Sequence, residues 1–176
     1  MAVSNTEATV ESTVDRVNSD LLDIRQIFNA ANYNIVQEFD ISSEKFAEQF
    51  SLLYEVNSDK IESLALYGNE GRLIASEPVA VEKENIDVTG QDWYKNAESA
   101  IENVHFSVPH IQNLYEDGLY RYHWVVSLSR YVDINDGEIP GSGVLLVDMK
   151  YSVIEDVLKQ INDSSEGIYY LSLIHI

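Results

Sequence analysis

From Val10 the apolar positions fall at Val10, Val14, Val17, Leu21, Ile24, Phe28, Ala31 and Ile35, spacings of four and three, with Glu11, Asp15, Arg16, Asn18, Asp20 and Asp23 between them. This period predicts a helix of roughly seven turns with a narrow apolar seam. The seam can pack on the domain that follows, and a heptad pattern held this long can also pair two copies as a homodimer through Val10 to Ile35. Ser42 or Ser43 then stands as an N-cap before a second helix whose apolar face is Phe46, Phe50, Leu53 and Tyr54. After Asn57-Ser58-Asp59 the period changes. Ile61 to Tyr67 reads as a strand, Gly68-Asn69-Glu70-Gly71 as its turn with glycine and asparagine taking positive φ, and Arg72 to Ser76 as the returning strand, ended by Pro78.

Thr89 with Asp92 three residues on has capping-box spacing, which predicts a third helix buried along Trp93, Ala97, Ala100, Ile101 and Val104. Three further strands are expected at His105 to Val108, Leu119 to Val132 and Gly143 to Met149. Turn chemistry at Glu116-Asp117-Gly118, Asp136-Gly137 and Gly141-Ser142-Gly143 separates them. Val153, Ile154, Val157, Leu158 and Ile161 give a closing helix. The order fits an α+β domain with an antiparallel sheet of about five strands and helices to one side, in PAS-like order. Residues 1–40 are read as a long helix and 41–165 as the sheet-bearing lobe. Gly167 to Ile176 reads as an apolar strand without a partner, an edge that complete proteins avoid. Residues 166–176 are therefore expected to open a truncated second lobe or to be a non-native tail.

Charge narrows the partners. Eleven Lys and Arg against thirty Asp and Glu give a net charge of -19, and no basic run interrupts it, so nucleic acid and anionic lipid surfaces would repel the chain. An apolar content of 45% with eleven Tyr, five Phe and two Trp is too much for a disordered acidic chain. The absence of Cys removes disulfides, thiolate catalysis and zinc-cysteine sites. No apolar run reaches the ~18 residues of a membrane span.

Catalytic and metal signatures are weak. No pair among His105, His110, His123 and His175 has the i, i+4 spacing of a helical zinc site. Asp133-Ile134-Asn135-Asp136-Gly137 places its glycine one position early for a calcium loop and has Val144 where the closing Glu belongs. There is no phosphate loop and no nucleophile elbow. The expectation is a binding module with no cofactor, no metal and no catalytic residues.

Four stretches in sequence carry a resemblance: Gln91-Asp92-Trp93-Tyr94-Lys95-Asn96-Ala97, Phe106-Ser107-Val108-Pro109-His110, Val125-Val126-Ser127-Leu128-Ser129-Arg130, and Gly143-Val144-Leu145-Leu146-Val147-Asp148. Together they resemble the membrane-distal lobe of a double Cache domain, over about residues 10 to 165. The resemblance implies the extracytoplasmic sensor of a bacterial transmembrane receptor, with a histidine kinase of a two-component system as the first expectation. A chemoreceptor, a cyclic-dinucleotide enzyme or a non-binding spacer or dimerisation domain are the alternatives. It also implies membrane segments outside the quoted chain.

In amino-acid-binding members of this family an Arg two residues before the Trp and the Trp-Tyr pair hold the ligand carboxylate, while acidic residues meet its ammonium. Asp148 matches the acid at the end of the late strand. Gln91 stands where the Arg would be, Asn96 where an early Asp would be, and His110 where the strand Tyr would be. The resemblance therefore implies a ligand pocket of Gln91, Trp93, Tyr94, Asn96, His110 and Asp148, joined by Trp124. Amides and aromatics around one carboxylate suit a small polar ligand, neutral or cationic, such as a sugar, an amine or a small peptide. Each residue also has a plainer reading. Trp93 lies on the buried helix stripe, and Asp148 could cap the following helix. Tyr120, Tyr122 and Trp124 share a strand face that would cover a core, and His110 could be exposed after Pro109.

Overall fold

The computed structural model describes residues 2–101, 103–116, 122–137 and 139–155. The first helix, α1, runs Ala2–Ala31 and passes into a π-helical turn, Asn32–Val36. Its seam is buried at Leu21, Ile24, Phe28, Ala31 and Ile35, whereas Val14 is exposed. Ile24–Tyr151 form one compact unit, which holds the sheet. The second helix, α2 (Glu44–Glu55), is capped by Ser43, whose Oγ accepts from the amide of Phe46 at 3.1 Å.

Among the described residues six antiparallel strands follow: β1 (Ile61–Gly68), β2 (Leu73–Glu77), β3 (His105–Phe106), β4 (His110–Ile111), β5 (Trp124–Asp136) and β6 (Ile139–Lys150). The sheet order is β2-β1-β6-β5-β3, with β4 also on β5, and the third helix, α3 (Asp92–Ser99), lies between β2 and β3 in sequence. Alternation along the strands decides which side chains meet. Ser63, Ala65 and Tyr67 of β1 pair with Asp148, Leu146 and Val144 of β6, which pair in turn with Ser127, Ser129 and Tyr131 of β5. This row shares a face with Trp93, Tyr94 and Ala97 of α3. The residues of opposite parity, Leu64, Leu66, Leu128, Leu145 and Val147, are just as buried. Both faces are therefore covered, and helices do not lie to one side alone. The near-continuous apolar runs of β1 and β6 follow from that double burial.

Several local expectations are corrected. Thr89 does not cap α3, because its hydroxyl donates to Asp87, whose carboxylate also accepts from the amide of Gly90. Gln91 occupies the cap position without a side-chain bond to the helix. In the first hairpin Glu70 and Gly71, not Asn69, take positive φ, while the Asn69 amide oxygen accepts from the Tyr131 hydroxyl at 3.2 Å. Gly141-Ser142-Gly143 is not a turn but part of β6, paired with Ile134, Asp133 and Val132. The turn lies earlier, around Gly137 with φ 69°. The strand expected over His105 to Val108 ends at Phe106, and a separate short strand, β4, follows Ser107-Val108-Pro109, where proline has no N–H for the ladder. A helical turn spans 151–155; the rest of the expected closing helix, the strand portion at 119–121 and the strand expected at 166–176 lie outside the described residues.

At Gly143 the backbone of β6 lies close against β1. A Cβ there would overlap the carbonyl oxygen of Tyr67. Gly143→Ala is therefore expected to destabilise the domain by about 2–3 kcal/mol, as other overpacked sites do. Urea unfolding checks this, and a change below about 0.5 kcal/mol, ordinary for a surface substitution, would contradict it.

Candidate functional site

Asp148 sits within β6, two residues before its end, and is 1% exposed. It caps no helix. Its neighbours on both sides supply hydroxyls: Ser63 donates to one carboxylate oxygen at 2.9 Å and Ser127 to the other at 2.5 Å. Ser127 Oγ also lies 3.3 Å from His110 Nε2. On its other side the imidazole meets the Val108 carbonyl at 3.0 Å and the Ser107 hydroxyl at 3.2 Å from Nδ1. Ser107 in turn accepts from the amide of Ser127 at 2.8 Å. One hydrogen-bonded chain thus runs Ser63, Asp148, Ser127, His110, Ser107 across β1, β6, β5, β4 and the loop before β4.

Burial pushes the Asp148 carboxyl above its ordinary value, against the opposing pull of the Ser127 and Ser63 hydroxyls and the field of His110. Beside it Tyr67 and Tyr115 share a hydrogen bond at 3.1 Å. Burial raises both phenols, so they stay protonated and can hydrogen-bond without adding charge.

An aromatic wall stands over the same face. Trp93, 7% exposed, packs on Tyr67 at 5.3 Å and edge-on against Tyr94 at 5.6 Å between ring centres. Ser129 donates to the Trp93 carbonyl at 2.8 Å, and the Tyr94 hydroxyl donates to the carbonyl of Gly68 at 3.2 Å, so α3 is pinned to β5 and β1. Tyr94 is wholly buried and acts as an anchor of the helix. Between α3 and β3 opens a cleft of about 260 Å³, bounded by Trp93, Asn96, Phe106, Ser107 and Ser129. Ser107 connects this cleft to His110.

The structure thus gathers His110 and Asp148 in one network, with Trp93 and Asn96 on the adjoining cleft. Gln91 lies at the start of α3, where its amide donates to the Asp87 carbonyl at 3.1 Å. Trp124 stands apart: it is 51% exposed, has the opposite parity on β5 and faces Tyr151 at 6.4 Å between rings. Sequence reasoning passed over Ser63, Ser107, Ser127, Tyr67 and Tyr115. The signal for Ser127 was a hydroxyl between valine and leucine on the buried stretch of β5; Ser63 becomes visible only through its register with Asp148.

No known family model matches this chain, and no curated protein does. Solved structures do. The fold is similar to the ligand-binding domain of the Pseudomonas aeruginosa PAO1 amino acid chemoreceptor PctC in complex with GABA, at 19% identity and a TM-score of 0.64, covering 84% of this chain and 60% of that one. It is similar to the corresponding domain of PctB in complex with L-Gln, at 19% identity and a TM-score of 0.58, covering 92% and 59%. The ligand-binding domain of the Pseudomonas fluorescens chemoreceptor CtaA in complex with L-isoleucine gives 18% and 0.58, covering 84% and 56%. At these identities the likeness is one of fold: the helix and antiparallel sheet expected of a PAS-like Cache lobe are those observed. The chain spans about 60% of the length of the PctC domain.

A carboxyl whose folded-state pKa is raised stabilises the fold below its unfolded value and loses that contribution as pH rises through the folded value. Asp148→Asn should therefore melt a few degrees above the wild type at pH 7.5, with the gap closing toward pH 4. Thermal melts across this range check it. A gap independent of pH, or a wild type more stable at pH 7.5, contradicts the burial argument.

Proposed function

We propose that this chain is the small-molecule-sensing part, outside the cytoplasm, of a bacterial transmembrane receptor. The observation that carries the reading is Asp148, a buried carboxylate with hydroxyl donors but, among the described residues, no lysine or arginine against it, set under an aromatic wall. An isolated buried charge is costly, and a ligand that supplies a matching donor would relieve the cost. The fold likeness to ligand-binding domains supports the same reading. Those domains belong to chemoreceptors, which favours a chemoreceptor over the histidine kinase suggested by the sequence resemblance. Among the described residues no helix is long and apolar enough to cross a membrane, so anchoring is assigned to segments other than these.

The ligand we assign is small and polar, neutral or cationic. Trp93 and Asn96 would flank it, His110 and Asp148 would form its floor, and Ser63 and Ser127 would position the carboxylate. Gln91 stands where a carboxylate-binding arginine is expected, and its amide is already engaged by Asp87. Tyr94 supports the site from behind. Trp124, on the opposite parity, has no part in it.

A panel of amino acids, amines, sugars and organic acids tests this by thermal shift. A ligand that binds only the folded chain stabilises it by roughly 2.7 kcal/mol at a hundredfold excess over its dissociation constant, a readily visible rise in melting temperature. The compound that shifts wild type should fail to shift Asp148→Ala while the variant keeps its circular dichroism. A folded Asp148→Ala variant that responds like wild type overturns the site.

A further inference from the structure

We propose that His110 and Asp148 form a proton-binding site that makes this domain respond to pH, the proton being shared between them through Ser127. The pair is the floor of the site assigned above, but the response needs no bound molecule. One hydroxyl separates the two groups: Ser127 Oγ lies 2.5 Å from the carboxylate and 3.3 Å from Nε2 of the imidazole. With Asp148 ionised, the Ser127 proton goes to the carboxylate, and the serine oxygen is then answered by an N–H at Nε2. On the far side Nδ1 lies 3.0 Å from the Val108 carbonyl, which can only accept. Ser107 also stands 3.2 Å from Nδ1, but its hydroxyl is given to Val108. A neutral imidazole has one N–H and serves one of these two contacts, whereas an imidazolium serves both. With Asp148 protonated, the carboxyl donates to Ser127, the serine proton turns to Nε2, and a neutral ring keeps its N–H for Val108. Either way the contacts are filled when the pair holds one proton. When it holds none, one contact sets lone pair against lone pair.

The other charged and titratable groups around the pair have partners or lie further off. Tyr67 and Tyr115, on the same face, bond each other and stay protonated, with Glu82 near them. Glu62 of β1 is 2.7 Å from His123 of the chain entering β5, and its field adds to burial in raising the Asp148 carboxyl. Lys150, two residues beyond Asp148, gives its ammonium to the Ser58 carbonyl. From α3, Asp92 borders the cleft on which Ser107 also opens. Histidine is the side-chain type whose ordinary charge change falls between about pH 5 and 8, and two groups this close titrate as a pair.

The proton holds a short segment in place. β4 pairs with β5 over His110 and Ile111 alone. Around it the Ser107 amide donates to the Ser127 carbonyl at 2.8 Å, the Gln112 amide to the His123 carbonyl at 2.9 Å, and the Ser127 amide to Ser107 Oγ at 2.8 Å. His110 stands in the middle of these ties and carries the link to the buried carboxylate. Loss of the proton weakens that link and lets residues 107–112 part from β5. Because Ser107 borders the cleft between α3 and β3, the loosening reaches the cleft wall.

Amide hydrogen exchange of the full chain at pH 5.5 and pH 8 tests this, with the proton itself as the probe. Each rate is divided by the intrinsic rate of that amide at that pH. The amides of Ser107, Gln112 and Ser127 should exchange at least about tenfold faster at pH 8 on this corrected scale, the size of one charge-assisted hydrogen bond. His110→Gln should remove the difference, and Asp148→Asn should shrink it because the imidazolium loses its counter-charge. His123→Gln, at the neighbouring imidazole, should leave it in place. Equal corrected rates in the wild type, or a difference that survives His110→Gln or is untouched by Asp148→Asn, overturns the proposal. A wild type that shows no such difference yet binds a small molecule in an Asp148-dependent way keeps the sensing site and loses the proton site. A difference that requires both residues, in a chain that no compound stabilises, keeps the proton site and removes the small molecule.

Discussion

Keeping one carboxylate ionisable in the middle of an apolar sheet is the constraint on which this structure turns. Asp148 follows Val144 and Leu146 along the inward row of β6, where a hydrocarbon would be the ordinary choice. Because β6 lies between β1 and β5, each neighbouring strand can place one hydroxyl directly opposite the carboxylate, and each does so with a serine. A slip of one residue on either side would bring Leu64, Val126 or Leu128 to that place and leave the oxygens without donors. The polar row therefore enforces the same register that the apolar face requires.

The consequences spread outward from that row. His110 approaches Ser127 from β4, and Ser107 fastens the loop before β4 to the backbone of β5, so the residues around Pro109 are held although they form no continuous strand. On the other side Tyr67 carries the contact from β1 to Trp93 and to Tyr115. A ligand that changes the charge balance at Asp148 would act on four strands and α3 together. Its differential affinity for two arrangements of these elements, typically about 1–3 kcal/mol, sets the limit of any signal passed on.

Much of this was legible in the chain. The first hairpin, the Ser43 cap, the α+β order and the start of the α3 stripe at Trp93 and Ala97 follow from periodicity and turn residues, although α3 ends at Ser99 and leaves Ile101 exposed; Asp148 stood out as a carboxylate at the end of an apolar run. What stayed hidden depends on partners distant in sequence. Ser63 and Asp148 are 85 residues apart, and nothing local announces their pairing. Thr89 looked like a cap until Asp87 competed for its hydroxyl. Gly141-Ser142-Gly143 looked like a turn because glycine also serves where two backbones come close, as Gly143 does against Tyr67. Trp124 looked like a pocket aromatic, but its parity on β5 turns it away from the row that holds Asp148.

The carboxyl of Asp148 can be followed directly by carbon-13 NMR in protein labelled at aspartate, with Asp148→Asn to assign its signal. The account predicts a midpoint above the ordinary aspartate value of about 3.9 in the free protein. It also predicts that the midpoint falls when an ammonium ligand is bound, because a neighbouring positive charge favours the ionised form. A carboxyl that titrates at the ordinary value, and is indifferent to ligand, would contradict it.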